Sequence, residues 1–217
     1  MATGSAKNFP LPFTGKVVRR TGGGVAAAVL TFALLGAAAN AGWQDVASRY
    51  DQARFAKLAE SRAAGLAQAS QQGGSGDASA IHETLDPVAV AAAPSEIEGD
   101  WRCRQIKLGG MTPYIVYSWF HCRIAEQDGH LTFAKLSGSQ HAFGTLYPEG
   151  GGFVYLGATT MKGEPTRHYS GDGASVGAPA TPDDQIGLLS LTGPGRARLE
   201  LPYPVQESTF DVIELRR

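Results

Sequence analysis

Five histidines, His82, His121, His130, His141 and His168, hold most of the acid–base and metal chemistry this chain has to offer, and they are scattered. None falls in HExxH or another spaced ligand motif, so neither a metal centre nor a cofactor is expected. A nucleophile is no better provided for. Gly138-Ser139-Gln140-His141 sets a serine near a histidine but lacks the Gly-x-Ser-x-Gly elbow that exposes a hydroxyl for attack. Arg167-His168-Tyr169 with Asp172 lies in a Gly- and Pro-rich stretch, where a loop ordered by its own hydrogen bonds is the commoner outcome. The glycine clusters at 22–24 and 150–152 lack the Lys-Ser/Thr ending that a phosphate loop needs. The residue types therefore favour a non-enzymatic protein.

Two constellations remain. Cys103 and Cys122 are the chain's two cysteines, and alternation puts Trp101 and Cys103 on one face of a strand beginning at Gly99. Val116, Phe120, Cys122 and Ile124 share the core face of the next strand, so both sulfurs can point inward and a disulfide is expected. On the opposite faces Arg102 and Arg104 meet Tyr117, Trp119, His121 and Arg123. Such a surface can take a planar or anionic group through guanidinium forks and cation–π contact. Its more frequent use is an outer face in which arginine stems cover the aromatics.

The elements that must hold these residues follow from composition. A basic stretch ending at Arg19-Arg20 leads into an uncharged Ala-, Val- and Leu-rich run, and Ala39-Asn40-Ala41 fits the small-x-small rule for cleavage before Gly42. Residues 1–41 thus read as a signal peptide and the remainder as periplasmic or secreted, with no transmembrane anchor after processing. The sequence leaves open whether export is general or by the twin-arginine route. The chain has 19 basic and 20 acidic residues, and Lys7, Lys16, Arg19 and Arg20 all lie in the leader. What remains is acidic, which excludes a nucleic-acid footprint.

Residues 42–72 are rich in good helix formers and predict one N-terminal helix with a thin, drifting apolar stripe, lying across the outside of the main domain or pairing with a partner. Residues 73–97 read as a flexible linker with a short helical turn near 80–85. From 98 to 217, alternation and turn residues mark eight strands at 99–108, 113–124, 130–137, 141–147, 152–160, 185–192, 196–202 and 209–216. The fold class is mainly β with an N-terminal helix: an antiparallel meander closed as a barrel, or alternatively a strongly curved, half-open sheet.

The opening Gly99-Asp100-Trp101 resembles the Gly-x-Trp signature of lipocalins, a likeness that implies a Trp plugging the barrel floor under an arginine, Arg216 or Arg217. The segments WRCRQIKLGG, YSWFHCRI, KLSGSQ, VYLGA, LELP and ESTFDVIEL are more specific. They resemble an uncharacterised family of exported bacterial proteins, the domain of unknown function numbered forty-eight ninety-three, over about the last 120 residues, the size of one domain. That resemblance implies compartment and organisation and carries no activity.

The expected role is a binding module for a small apolar or amphipathic ligand. Trp101, Phe120, Phe133, Phe143, Leu146, Tyr155 and Leu189 are expected to line the barrel, and Arg102, Arg104 and Arg123 to fix an acidic group if they face its mouth. The alternative is a cell-envelope interaction factor or inhibitor using the helix or the face around Tyr117 and Trp119.

Overall fold

The computed structural model describes residues 42–71, 75–171 and 181–217; the expected signal peptide, the 22–24 glycine cluster and Asp172 lie outside them. Nine strands follow chain order: β1 (Gly99–Leu108), β2 (Tyr114–Val116), β3 (Phe120–Gln127), β4 (His130–Lys135), β5 (Gln140–Glu149), β6 (Gly152–Met161), β7 (Asp184–Gly193), β8 (Arg196–Pro202) and β9 (Phe210–Arg216). Each of β3 to β8 pairs antiparallel with the next, and β1 pairs with β3 and also with β9, the latter from Arg102↔Arg216 to Leu108↔Phe210. β1 and β3–β9 therefore close an eight-stranded barrel, and the half-open sheet gives way to closure. Asp128 and Gly129 join β3 to β4 with φ of 53° and 79°, the two left-handed residues of a tight hairpin turn.

Alternation divides β1, β6, β7 and β9 between an inner core and an outer one. Trp101, Phe133, Tyr155, Leu199 and Ile213 are among the side chains filling the inside. Ile106, Leu108, Phe210 and Val212 face outward beneath Ala69, Ile81 and Leu85, while Val154, Leu156 and Ile186 face outward beneath Trp43, Ala47 and Phe55. Phe143, expected inside with Leu146, faces outward against the His168 ring at 5.0 Å, because residues three apart on a strand cannot share a face.

The expected single N-terminal helix is three: α1 (Trp43–Val46), α2 (Arg49–Phe55) and α3 (Leu58–Ala69). Ser48 breaks the run by capping α2, its Oγ accepting the Asp51 amide at 3.1 Å. The turn expected near 80–85 extends to a full helix, α4 (Ser75–Leu85), and α5 (Pro94–Ile97) precedes β1. The helices wrap the outside of the barrel, α2 on β7 and β8, and α3 on β1, β8 and β9. Their buried positions include Ser48, Asp51, Arg54, Ser61, Gly65 and Ala69, which are polar or small. Arg54 donates to the Asp184 carbonyl at 2.8 Å, and Ser61 donates to the Thr209 carbonyl at 2.7 Å while accepting the Tyr203 amide at 3.0 Å. Gly65 lets α3 approach closely, since a Cβ there would stand 2.8 Å from Cβ of Phe210.

The strand expected over 113–124 is interrupted. β1 holds one register with β3 as far as Cys103↔Phe120 and a register one residue different with β2 from Ile106↔Val116. Ser118 and Trp119 absorb the extra residue opposite Arg104, as a bulge does. Parity reverses across it. Val116, expected on the core face with Phe120, packs into the outer cluster instead, and Tyr117 turns toward one end of the barrel.

Candidate functional site

The two ends of the barrel differ. At the end where β1 begins, Trp101 is fully buried, its Nε1 donates to the Ile97 carbonyl at 2.7 Å, and the Arg217 guanidinium lies 4.0 Å from its ring centroid. That end is a closed floor. At the other, a cavity of about 290 Å³ opens between the strand ends and the β6–β7 and β8–β9 connections. Inward-facing side chains near the strand ends build it: Gln105 and Lys107 from β1, Lys135 from β4, Thr159 from β6, Gln185 from β7 and Asp211 from β9. Phe120, Met161 and Leu201 supply apolar wall. The helices brace this rim, because Arg54 and Ser61 hold the backbone of residues 184, 203 and 209 on either side of it.

The cavity's charges are unequally matched. Burial alone would lower the Lys107 ammonium, but Asp211 at 3.7 Å and Glu207 at 2.7 Å outweigh it and hold the amine above its ordinary value. Asp211 is pushed up by its own burial, against the pull of Lys107 and hydrogen bonds from Ser208 and Gln105. Lys135 has no carboxylate within ion-pair distance among the described residues. Burial drives its amine from 10.5 down to about 8. Its Nζ donates to the carbonyls of Ser137 at 2.8 Å and Gln140 at 2.5 Å and stands 4.0 Å from the Phe120 ring centroid.

The Tyr155 hydroxyl and Gln185 Oε1 are buried with no hydrogen-bond partner among the described residues, and so is Oδ2 of Asp184, which lines the cavity together with Gln185. The Tyr155 ring leans over two inward glycines: a Cβ on Gly157 would lie 2.2 Å from its oxygen and one on Gly144 2.5 Å from its ring. Gly157 is the register partner of Gln185, so the Tyr155 hydroxyl and Gln185 Oε1 lie at one level beneath the mouth. Complete burial pushes the Tyr155 phenol far up, which keeps it a neutral hydroxyl.

Lysine 135 yields a stability prediction. From about pH 8 to 10.5 the unfolded chain holds a proton on this amine that the folded chain has released, so folding stability gains from rising pH across that window. Lys135→Met should remove that gain and, at pH 7, should be at least as stable as wild type, having lost a buried ammonium with no counter-charge. Urea midpoints of both proteins from pH 7 to 10 test this; parallel curves would rule it out.

The candidates read from the sequence are dispersed by the fold. Trp101 forms the floor and Tyr155 the inner wall, whereas Tyr117 lies on the cavity. Arg102, Arg104 and Arg123 project from the outer face, away from the mouth. Arg102, Arg104 and Arg216 crowd Trp119 at 5.0, 4.7 and 5.5 Å, Arg104 is paired to Glu214 at 2.5 Å, and Arg123 faces Asp100 at 3.7 Å. Lys135, Gln185 and Asp211 were missed. Their signal was polarity at core parity: Leu131, Phe133 and Lys135 alternate inward on β4, and Asp211 precedes the inward Ile213 and Leu215 on β9.

Cys103 and Cys122 form the expected disulfide, with Cα atoms 5.8 Å apart. Among the described residues no group of three His, Cys, Asp or Glu side chains is placed to hold a metal ion, and no helix is long and apolar enough to cross a membrane. A second cavity, about 340 Å³, flanks α1 at the floor end, lined by Glu98, Glu126 and Glu149 and reaching Gly42, where the described residues begin.

Fold and site together define a small closed β-barrel with Trp101 buried at its floor, a polar cavity at its mouth and a second, larger cavity beside α1 at the floor end. The chain belongs to the family described as Domain of unknown function (DUF4893), whose model matches residues 43–215. The match takes in the bracing helices α1 to α4 as well as the barrel. No curated protein and no solved structure matches the chain, and the resemblance to lipocalins is not confirmed.

Proposed function

We propose that this protein is an exported, non-enzymatic binding module of the cell envelope that holds a small amphipathic ligand in the mouth of its barrel. The observation that carries the reading is the cavity of about 290 Å³ with mixed lining, at the lower bound of ligand pockets, where buried side-chain oxygens of Asp184 and Gln185 have no hydrogen-bond partner among the described residues. The ligand is small because the barrel below that level is filled by Phe133, Tyr155, Leu189, Leu199 and Ile213. An apolar portion fits Tyr117 and Met161, two exposed large hydrophobic residues that line the cavity. Export is supported by the disulfide, which forms and persists in oxidising compartments, and by the leader's composition.

Gln140→Trp tests the site, since Gln140 is an exposed rim residue and a large ring there blocks entry without touching the core. Native mass spectrometry of protein recovered from the periplasm of its own host type should find a small-molecule adduct on wild type and none on the variant. Unfolding should be unchanged within about 0.5 kcal/mol, as for other surface substitutions. A bare wild type, or a variant loaded equally well, counts against the reading. The denatured mass of the same sample reports processing, and an N-terminus far from Gly42 would sink the export proposal.

A further inference from the structure

We infer that the mouth selects a singly charged carboxylate, held by the one N–H of Lys135 that no oxygen among the described residues accepts, so that loading is controlled by that amine's proton. The inference rests on the mouth being a ligand site, as proposed above. An ammonium has three donors, and the Ser137 and Gln140 carbonyls take two of them. The turn carrying these carbonyls wraps the amine, a Cβ on Gly138 falling 3.0 Å from Nζ, so Lys135 is fixed in place before any ligand arrives. Among the described residues, no carboxylate neutralises it.

The rest of the cavity sets the ligand's charge. Lys107 is matched by Asp211 and Glu207, and Arg54 by Asp51 at 2.7 Å. Asp183, Asp184, Glu207 and Asp211 all line the same space. Glu207 and Asp211 are held by Lys107 and Asp183 by Arg167, so among the described residues Lys135 is the lining cation without an ion-pair partner. It matches the charge of a monoanion, which also gains apolar contact from Phe120, Met161 and Leu201, whereas the second charge of a dianion such as a phosphate ester finds no free cation among the described residues and adds to the repulsion from the lining carboxylates. The groups facing Lys135 across the cavity are Arg54 from α2, Lys107 and Asp211 from β1 and β9, Tyr117 before β3, Asp183 and Asp184 at the start of β7, and Glu207. No histidine lines it. With its amine near 8, Lys135 is protonated at neutral pH and loses its proton just above it.

Three probes of one size separate the possibilities: sodium benzoate, benzyl alcohol and phenyl phosphate, titrated into the full processed protein and followed by NMR shifts of the Lys135 side chain and the Gln185 amide. Benzoate should bind at least tenfold more tightly than either other probe. Its affinity should be flat to about pH 7, halve by about pH 8 and fall about tenfold by pH 9, following the protonated fraction of the free amine. Lys135→Met should abolish the preference of benzoate over benzyl alcohol, while Gln140→Trp should weaken both. If benzyl alcohol matches benzoate in wild type and Gln140→Trp blocks both, the mouth is a site but Lys135 is not its anchor. Tighter binding of phenyl phosphate, or a benzoate preference that survives Lys135→Met, likewise overturns the inference. If no probe moves the Lys135 or Gln185 signals, both this inference and the ligand site itself fail.

Discussion

Asp51→Ala should cost about 3–5 kcal/mol and lower the thermal midpoint by about 10 °C, because it strands a buried guanidinium. Asp51 is fully buried on α2 and accepts hydrogen bonds from Arg54 Nε at 2.7 Å, Ser48 Oγ at 2.8 Å and the Tyr169 hydroxyl. Burial, followed by that bond to Asp51, holds the Tyr169 phenol well above its usual range, so it stays a donor. Arg54 is 6% exposed, and beyond Asp51 its partners among the described residues are uncharged: the carbonyls of Asp184 and Tyr203 and the Tyr50 ring. With the carboxylate gone, the positive charge keeps its desolvation cost and loses its counter-charge. Two further results separate this cause from simple loss of packing. Asp51→Asn, which keeps the shape, should still cost about 2 kcal/mol, and the double change Asp51→Leu with Arg54→Met should recover much of the loss, since removing both charges removes the penalty. Equal losses for the single and double variants in thermal unfolding would show that packing dominates. Arg54 also lines the mouth, so the same variant should loosen the rim and weaken any ligand held there.

This network explains why the barrel was legible in the sequence and its helical jacket was not. The strands declare themselves because their inner faces are apolar with period two and their turns need particular residues: β1 and β8 occupy the segments that alternation and turn residues delimit, and Asp128-Gly129 makes the expected tight turn. The helix face is a different problem. Ser48, Asp51, Arg54 and Ser61 are the side chains that α2 and α3 bury, and they are spent on hydrogen bonds to the barrel's connections. A search for an apolar stripe sees a weak helix where the structure has a tightly bonded one. Ser48 as an internal cap was the signal that the run is broken. Parity fails locally at the bulge, where one extra residue at Ser118 and Trp119 exchanges the faces of Val116 and Tyr117. The mouth was hidden because its six inward polar residues are scattered over five strands near one end, and nothing in the sequence brings Lys135 to Gln185 or Asp211 until closure does.

Removing the disulfide should cost about 3 kcal/mol, the chain entropy released when a loop spanning the 19-residue separation of Cys103 and Cys122 is opened. Both sulfurs lie in the inner core, 0% and 1% exposed, so Cys103→Ala with Cys122→Ala also loses packing there, and the thermal midpoint should fall by about 10 °C. The link has a positional role as well. In register, Cys103 faces Phe120 and Cys122 faces Trp101, so the bond runs diagonally across β1 and β3 immediately before the bulge. Beyond the bulge β2 has only three residues paired to β1, with the Tyr117 amide reaching the Gln105 carbonyl at 3.0 Å. Without the bond, this short strand can slip toward the register of β3, which would return Tyr117 to the outer face and remove it from the mouth. The expected sign is faster amide exchange at Val116 and Tyr117 than the global destabilisation accounts for, with β5 and β6 following the global change. A loss under about 1 kcal/mol, or uniform acceleration of exchange throughout the barrel, would leave the bond as a generic cross-link and assign the register of β2 to the bulge alone.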